Sequence, residues 1–319
     1  MKPILKWAGT VAASLAGLLI LAIAYVFIGS QRMLDRSYPK RPSTVHAPVT
    51  ADSVARGAHL AVVSTCTDCH GQDLTGTRLP VPGSTVYAPN LTITTKSLSD
   101  ADIDRTIRQG LRSDGKSVLF MPSHAYASFT DDEVASIIAY LRSFSPKGMA
   151  WPKPRLGLGV RVALVAGIVR TEAAEFTDTP PPLDLGARYE KGRHLAQIVC
   201  GQCHGTNLSG EPKAPVHPTP DLLMVAGYDP GAFRTLMRTG KAPGGREVEV
   251  MSKIAPGNLS YLTDDEIDAI YDYLVARCKA LTAKQNAKQR SGTAAAPPRL
   301  AAFHAGLMTS WVESTLLWR

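Results

Sequence analysis

Between Lys6 and Arg32 the chain opens with an uncharged run of 25 residues, Trp7 to Gln31, dominated by Ala, Leu, Ile and Val. A spanning helix needs roughly 20 apolar residues, whereas the core of a cleaved signal has about 7–15. The length predicts a retained transmembrane helix within residues 1–35. Small residues around Ala22 and Ala24 leave a cleaved signal as the alternative. Either way the rest of the chain crosses the membrane, with Lys2 and Lys6 on the cytoplasmic side, although Arg32 and Arg36 dilute the charge bias.

Beyond this run the apolar positions follow a helical period. Val134, Ile137, Ile138 and Leu141 form one stripe at i, i+3, i+4 and i+7, and Ile267, Ile270, Tyr271 and Leu274 form another. Thr130 with Glu133, and Thr263 with Glu266, have the spacing of a capping box, which predicts where both helices start. A middle helix from about Ser99 to Leu111 places Ile103, Ile107 and Leu111 on one face. Strand-like alternation is scarce, so the expected fold class is all-α.

These elements belong to an internal repeat. RGAHLAVVSTCTDCH at 56–70 matches KGRHLAQIVCGQCH at 191–204. A Gly/Pro-rich stretch follows each, then a helix ending IRQG (107–110) or LMRTG (236–240), a Met-containing loop and a capped closing helix. The expected organisation is an anchor at 1–35, one domain at 50–146, a linker at 147–183, a second domain at 184–280, and a flexible Lys/Gln/Ala/Pro-rich tail at 281–319. The apolar piece Val160–Val169 is short and contains Arg161, which predicts a helix packed between the domains rather than a second span. The closing WVESTLLWR has no assigned purpose.

Composition adds a question and removes it. Of 319 residues, 45% are hydrophobic and 19% charged, enough apolar material for real cores. The formal net charge is +8. Residues 1–41 carry +5 and residues 281–319 carry +4, while the stretch between them carries −1. The basic excess therefore lies at the two ends, and nucleic-acid binding is excluded.

Cys66-Thr-Asp-Cys69-His70 and Cys200-Gly-Gln-Cys203-His204 both have the C-x-x-C-H spacing that attaches c-type haem. Two thiols one helical turn apart form thioethers to one haem, and the following imidazole reaches its iron. Zinc would need further Cys or His ligands that neither repeat supplies at suitable spacing, and a thioredoxin-like dithiol would need a βαβ context. Two covalently bound haems are therefore expected, on Cys66 and Cys69 and on Cys200 and Cys203, with His70 and His204 on the irons. Cys278 is left over and reads as a buried or half-buried free thiol.

Met121 and Met251 each lie between the middle and closing helices, where the chain must cross the open face of a haem. They are the candidate sixth ligands. Rivals are His124 in the first unit and Met224 and Met237 in the second, with Met237 placed in a core-facing stripe. His59 and His194 match each other and read as partly exposed helix residues. Arg108 and Arg238 also match, and either pair haem propionates or lie on a solvated face. A loop carbonyl at Pro80, Pro89 or Pro220 could accept the second N–H of a ligand imidazole.

The motifs quoted above, with APNLT and IRQGLRSDGKSVLFMPSHAYASFTDDEVASIIAYLRSF, resemble the class I cytochrome c domain over most of residues 53–277. More closely, they resemble the multihaem cytochrome c subunits of bacterial membrane-bound dehydrogenases for alcohols, gluconate and similar substrates. The resemblance implies His/Met ligation, His70 with Met121 and His204 with Met251. It also implies relay of electrons from a dehydrogenase partner to the quinone pool, an oxidase or a small cytochrome. Those subunits commonly have three haem units and a different membrane attachment, so the partner is left open.

The resulting expectation is a non-enzymatic electron carrier of two tandem cytochrome c domains, held at the inner membrane with its haems in the periplasm. A dihaem cytochrome c peroxidase is the alternative. It would need one open iron beside an acid/base group, as would a haem-based gas sensor, whereas both repeats offer a Met in matching places.

Overall fold

The computed structural model describes residues 2–175, 180–212 and 218–294. It is rich in helices, and its strands are confined to two short hairpins. The chain begins with α1 (Lys2–Leu34), whose apolar side chains from Trp7 to Ile28 are largely exposed. Among the described residues this is the one helix long and apolar enough to cross a membrane.

An extended strap from residue 36 to residue 50 leads to the first repeat. The repeat comprises α2 (Ala51–Val63), α3 (Cys66–His70), the hairpin β1 (Arg78–Leu79) and β2 (Val86–Tyr87), α4 (Leu91–Thr94), α5 (Asp100–Gln109), α6 (Ser123–Tyr126) and α7 (Asp131–Ser143). The expected capping box is present: the Glu133 amide donates to Thr130 Oγ1 (3.3 Å), and the Thr130 amide donates to the Glu133 carboxylate (2.8 Å). Val134, Ile137, Ile138 and Leu141 are all buried. Gly110 ends α5 in the left-handed region (φ 63), a conformation that avoids a Cβ clash only in glycine.

The linker differs from expectation. Its apolar piece forms α8 (Leu158–Val165), which packs against the last turns of α1 rather than between the repeats. The reason is a matched pair of contacts. Gly29 lets Val165 approach α1 closely, and the Arg161 guanidinium donates to Ser30 Oγ (2.8 Å) while lying over the Phe27 ring. The preceding Pro-rich stretch wraps the first repeat, with Trp151 stacked on Tyr87 at 4.5 Å. A single helical turn, α9 (Glu172–Glu175), follows.

The second repeat is built from α10 (Glu190–His204), α11 (Pro230–Thr239), the hairpin β3 (Lys241–Ala242) and β4 (Arg246–Glu247), α12 (Glu249–Ile254) and α13 (Asp264–Ala294). Thr263 and Glu266 exchange hydrogen bonds as a capping box, as their spacing predicts. The buried stripe of α13 is Ile267, Ile270, Tyr273 and Leu274; Tyr271 is only half-buried and donates to the Tyr228 carbonyl (2.7 Å). The helix does not stop near residue 280 but runs to Ala294, because the Lys, Gln and Ala residues there are good helix formers and the first proline is Pro297. The rest of the expected tail, WVESTLLWR included, lies outside the described residues.

In each repeat the leading helix crosses the closing helix at a glycine. A Cβ added to Gly57 would sit 1.9 Å from the Ser136 carbonyl oxygen, and one added to Gly192 would sit 2.0 Å from that of Ala269. Side chains of both repeats then enter one continuous apolar core within residues 1–278. Gly57→Ala or Gly192→Ala should destabilise the protein by about 2 kcal/mol, because neither backbone can retreat from the methyl group. Thermal melts followed by circular dichroism should show a Tm several degrees lower. Gly227→Ala, where nothing lies within 4 Å of the added Cβ, should leave Tm unchanged.

Candidate haem sites

The two C-x-x-C-H motifs close helices of unequal construction. Cys200 lies eight positions after Gly192 and the whole second motif finishes the single helix α10. Cys66 lies nine positions after Gly57, and the additional residue is absorbed by a break at Thr65, in the left-handed region at φ 58. Both motifs stop at a glycine of positive φ, Gly71 (80°) and Gly205 (75°), which turns the chain immediately after the histidine.

The loops that follow repeat each other bond for bond. Gly76 and Gly210 amides donate to the His70 and His204 carbonyls at 2.7 and 2.8 Å. Thr77 and Thr219 hydroxyls donate to the Cys69 and Cys203 carbonyls, both at 2.6 Å. His70 Nδ1 lies 3.0 Å from the Pro89 carbonyl oxygen, and His204 Nδ1 lies 2.9 Å from that of Pro220. Of the three prolines in these loops, Pro89 and Pro220 thus supply the carbonyls. With Nδ1–H donating there, Nε2 is the nitrogen each ring has for a metal.

The chemistry of these groups fits covalent haem. Burial lowers the pKa of both imidazoles, against an opposing pull from the carbonyls, so the rings are neutral as ligation requires. None of the four thiols forms a disulfide. Burial pushes Cys66 and Cys200 up to about 12, and it raises Cys69 and Cys203 as well. Redox-active dithiols work through depressed thiol pKa values, so these pairs do not fit a thiol–disulfide exchange role.

Met121 precedes α6 and Met251 lies on α12; both are half-buried against the apolar core. Each loop is laid back on the glycine that ends the middle helix. A Cβ on Gly240 would meet the Met251 carbonyl oxygen at 2.8 Å, and the Val118 amide donates to the Gly110 carbonyl at 2.8 Å. The rival ligands sort themselves. His124 Nδ1 is 2.9 Å from the Glu172 carboxylate, Met237 is buried within α11, and Met224 is 44% exposed.

Arg108 and Arg238 both have partners within the protein. Arg108 bonds Asp104, the Phe129 carbonyl and Asp131, while Arg238 bonds the Ser260 and Leu262 carbonyls and Asp264. Each ties the middle helix to the start of the closing helix.

Sequence reasoning missed the contacts that bring the two motifs together. His59 Nε2 is 3.0 Å from Glu266, and His194 Nε2 is 2.8 Å from Glu133, so each leading helix holds the capping glutamate of the other repeat. Asp68 and Gln202 occupy the same place in their motifs, and both reach across. Asn258 Nδ2 donates to the Asp68 carboxylate (2.8 Å); Thr65 Oγ1 donates to Gln202 Oε1 (2.9 Å). Tyr126, fully buried between the motifs, donates to the Ser64 carbonyl (2.7 Å). The two His–Glu contacts are reciprocal, as in an isologous dimer, yet lie within one chain. The matching of His59 with His194 and of Glu133 with Glu266 was the available signal.

Comparison with known proteins agrees with this arrangement. The family "Cytochrome c" matches residues 189–277, and the family "Cytochrome C oxidase, cbb3-type, subunit III" matches residues 52–141. Each half of the chain is therefore similar to a family of cytochromes, haem-binding proteins that transfer electrons. The chain is 27% identical over 270 residues to the fructose dehydrogenase cytochrome subunit of Gluconobacter japonicus, covering 73% of this chain and 53% of that one. It is 26% identical over 276 residues to the gluconate 2-dehydrogenase cytochrome c subunit of Pantoea cypripedii, covering 72% and 60%. It is 23% identical over 265 residues to the cytochrome c subunit of an alcohol dehydrogenase (quinone) of Gluconacetobacter polyoxogenes, covering 70% and 56%. The chain thus spans a little over half the length of these relatives, and it resembles dehydrogenase cytochrome subunits.

The His59–Glu266 pair makes stability depend on pH. The Glu266 carboxylate raises the His59 pKa above its ordinary 6.5, with burial opposing. That contribution is complete below about 6.5 and is lost as pH rises through the higher folded value. Burial raises the Glu266 pKa, but hydrogen bonds from His59 and the Thr263 amide outweigh it and leave the carboxyl below its ordinary 4.5. Its contribution is lost as pH falls through that lowered value. Urea unfolding should therefore show stability declining from pH 6 to pH 8.5. His59→Gln should flatten that decline, and an unchanged slope would contradict the pairing.

Proposed function

We propose that the chain is a membrane-anchored dihaem c-type cytochrome that accepts electrons from a dehydrogenase and passes them to the respiratory chain. In this reading residues 50–146 and 184–280 each enclose one haem, α1 remains in the inner membrane, and the haem domains lie in the periplasm. One observation supports it: the same set of groups occurs twice, a thiol pair, an imidazole-to-carbonyl hydrogen bond and a methionine following a glycine-ended helix.

Cys66 and Cys69 would hold one haem and Cys200 and Cys203 the other, with His70 and Met121 as axial ligands of the first iron and His204 and Met251 of the second. The haem supplies a reversible one-electron couple. The chain's own residues do the rest. Pro89 and Pro220 fix the tautomer and orientation of the imidazoles. The buried surroundings exclude water and favour a higher potential, and thioether ligation acts in the same direction. An axial methionine on both irons leaves no open position for peroxide, which disfavours the peroxidase alternative. The dehydrogenase partner is inferred from the names of the relatives. The acceptor class, quinone, oxidase or small cytochrome, is part of the proposal.

Two outcomes test this reading. Replacing Cys66 and Cys69 by Ala, or Cys200 and Cys203, should halve covalent haem from two to one per chain by pyridine-haemochrome assay and mass spectrometry. Fewer than two in the unmutated chain would overturn the dihaem assignment. Met121→Ala and Met251→Ala should each abolish the sulfur–iron far-red band of one haem, lower its potential and admit CO. Hydrogen peroxide turnover by the unmutated protein would favour the enzyme.

A further inference from the structure

The segment around α8 presents a surface that the electron-carrier reading does not use. Residues 134–171 contain six Lys or Arg and no Asp or Glu. Within them, residues 156–169 carry a single charge, Arg161, and that guanidinium is turned inward onto Ser30 and Phe27 of α1. Leu164 is buried beneath it. The opposite face is apolar and exposed, with Leu158 at 48%, Val162 at 44% and Ile168, just past the helix, at 64%. Lys153 and Arg155 precede this face and are exposed.

Position says what covers the face. A span of ~20 residues counted from Trp7 ends near Phe27. Phe27, Gly29 and Ser30 are the α1 residues against which α8 packs. The apolar face of α8 is thus continuous with the exposed apolar side chains of α1, at the level where acyl chains meet headgroups. A short apolar face flanked by cations suits an anionic bilayer surface, since the side chains enter the acyl boundary while Lys and Arg meet lipid phosphates.

We propose that α8 is a second membrane contact: with the outer end of α1 it forms a two-helix foot seated in the headgroup–acyl boundary of an anionic bilayer, fixing how the haem-bearing unit stands on the membrane. The inference rests on the anchor reading of α1.

The test uses full-length holoprotein in nanodiscs containing anionic phospholipid. Nitroxide labels are placed at Val162→Cys, at Leu19→Cys in α1, and at the exposed Asp265→Cys of α13, each in a Cys278→Ala background. Power-saturation electron paramagnetic resonance then compares collision with lipid-soluble oxygen and with a water-soluble nickel chelate. The Val162 label should show an oxygen-to-nickel preference several-fold above the Asp265 label, approaching that of the Leu19 label. A Val162 label matching Asp265 while Leu19 stays in lipid would overturn the foot and leave the anchor standing. Protection of the Val162 label from both reagents would overturn it too, because a protein, either a partner subunit or a second copy, would then cover α8. A water-accessible Leu19 label, or its loss with a cleaved segment, would remove the anchor reading and the foot together.

Discussion

A histidine that must hold a metal through one nitrogen needs its other nitrogen fixed, and here a loop carbonyl does so in both repeats. The hydrogen bonds from His70 to Pro89 and from His204 to Pro220 determine much of the architecture around them. The helix has to end at the histidine, so a glycine of positive φ follows it. The chain then has to fold back within 19 or 16 residues to present the carbonyl. The matched bonds from Thr77, Thr219, Gly76 and Gly210 build that return. The glycine crossings at Gly57 and Gly192 hold the leading helix close to the closing helix, and so fix where the motif at its end is delivered.

Duplication of this unit brings a second consequence. The two copies dock through Asp68 and Gln202, which lie between the cysteines of their motifs, and through His59 and His194 on the leading helices. Each His–Glu pair joins the leading helix of one copy to the helix cap of the other. The two C-x-x-C-H motifs are therefore held by a polar interface around buried Tyr126, rather than by a flexible tether. For a relay, a fixed separation between redox groups is the useful property, and this interface is placed to provide it.

Local rules carried the sequence reading a long way. The capping boxes at Thr130 and Thr263, the buried stripe of α7 and the apolar run of α1 are governed by residues within one or two turns, and they stand where the pattern places them. Legibility ended where contacts joined distant segments. His59 and Glu266 lie 207 positions apart, and nothing local to either distinguishes a solvated histidine from an interface one. Arg108 and Arg238 matched each other for a structural reason, the bracing of a helix start. Arg161 argued only against a second span, and its partners Ser30 and Phe27 lie far upstream in the chain. The tail past residue 280 was misjudged because a polar, Lys-rich composition was weighed over the helix propensity of the same residues. The choice between Pro80, Pro89 and Pro220 needed three-dimensional distances.

The central claim is that the protein carries two equivalent, closed His/Met haems and only passes electrons. Its most direct test is a spectroelectrochemical titration of the intact, unmutated holoprotein, following the sulfur–iron far-red band and adding CO to the reduced form. The account predicts that reduction removes the whole band, half of it with each one-electron haem, with no CO adduct at either iron. A high-spin component, a band of one-haem intensity, or a CO-binding haem would contradict it.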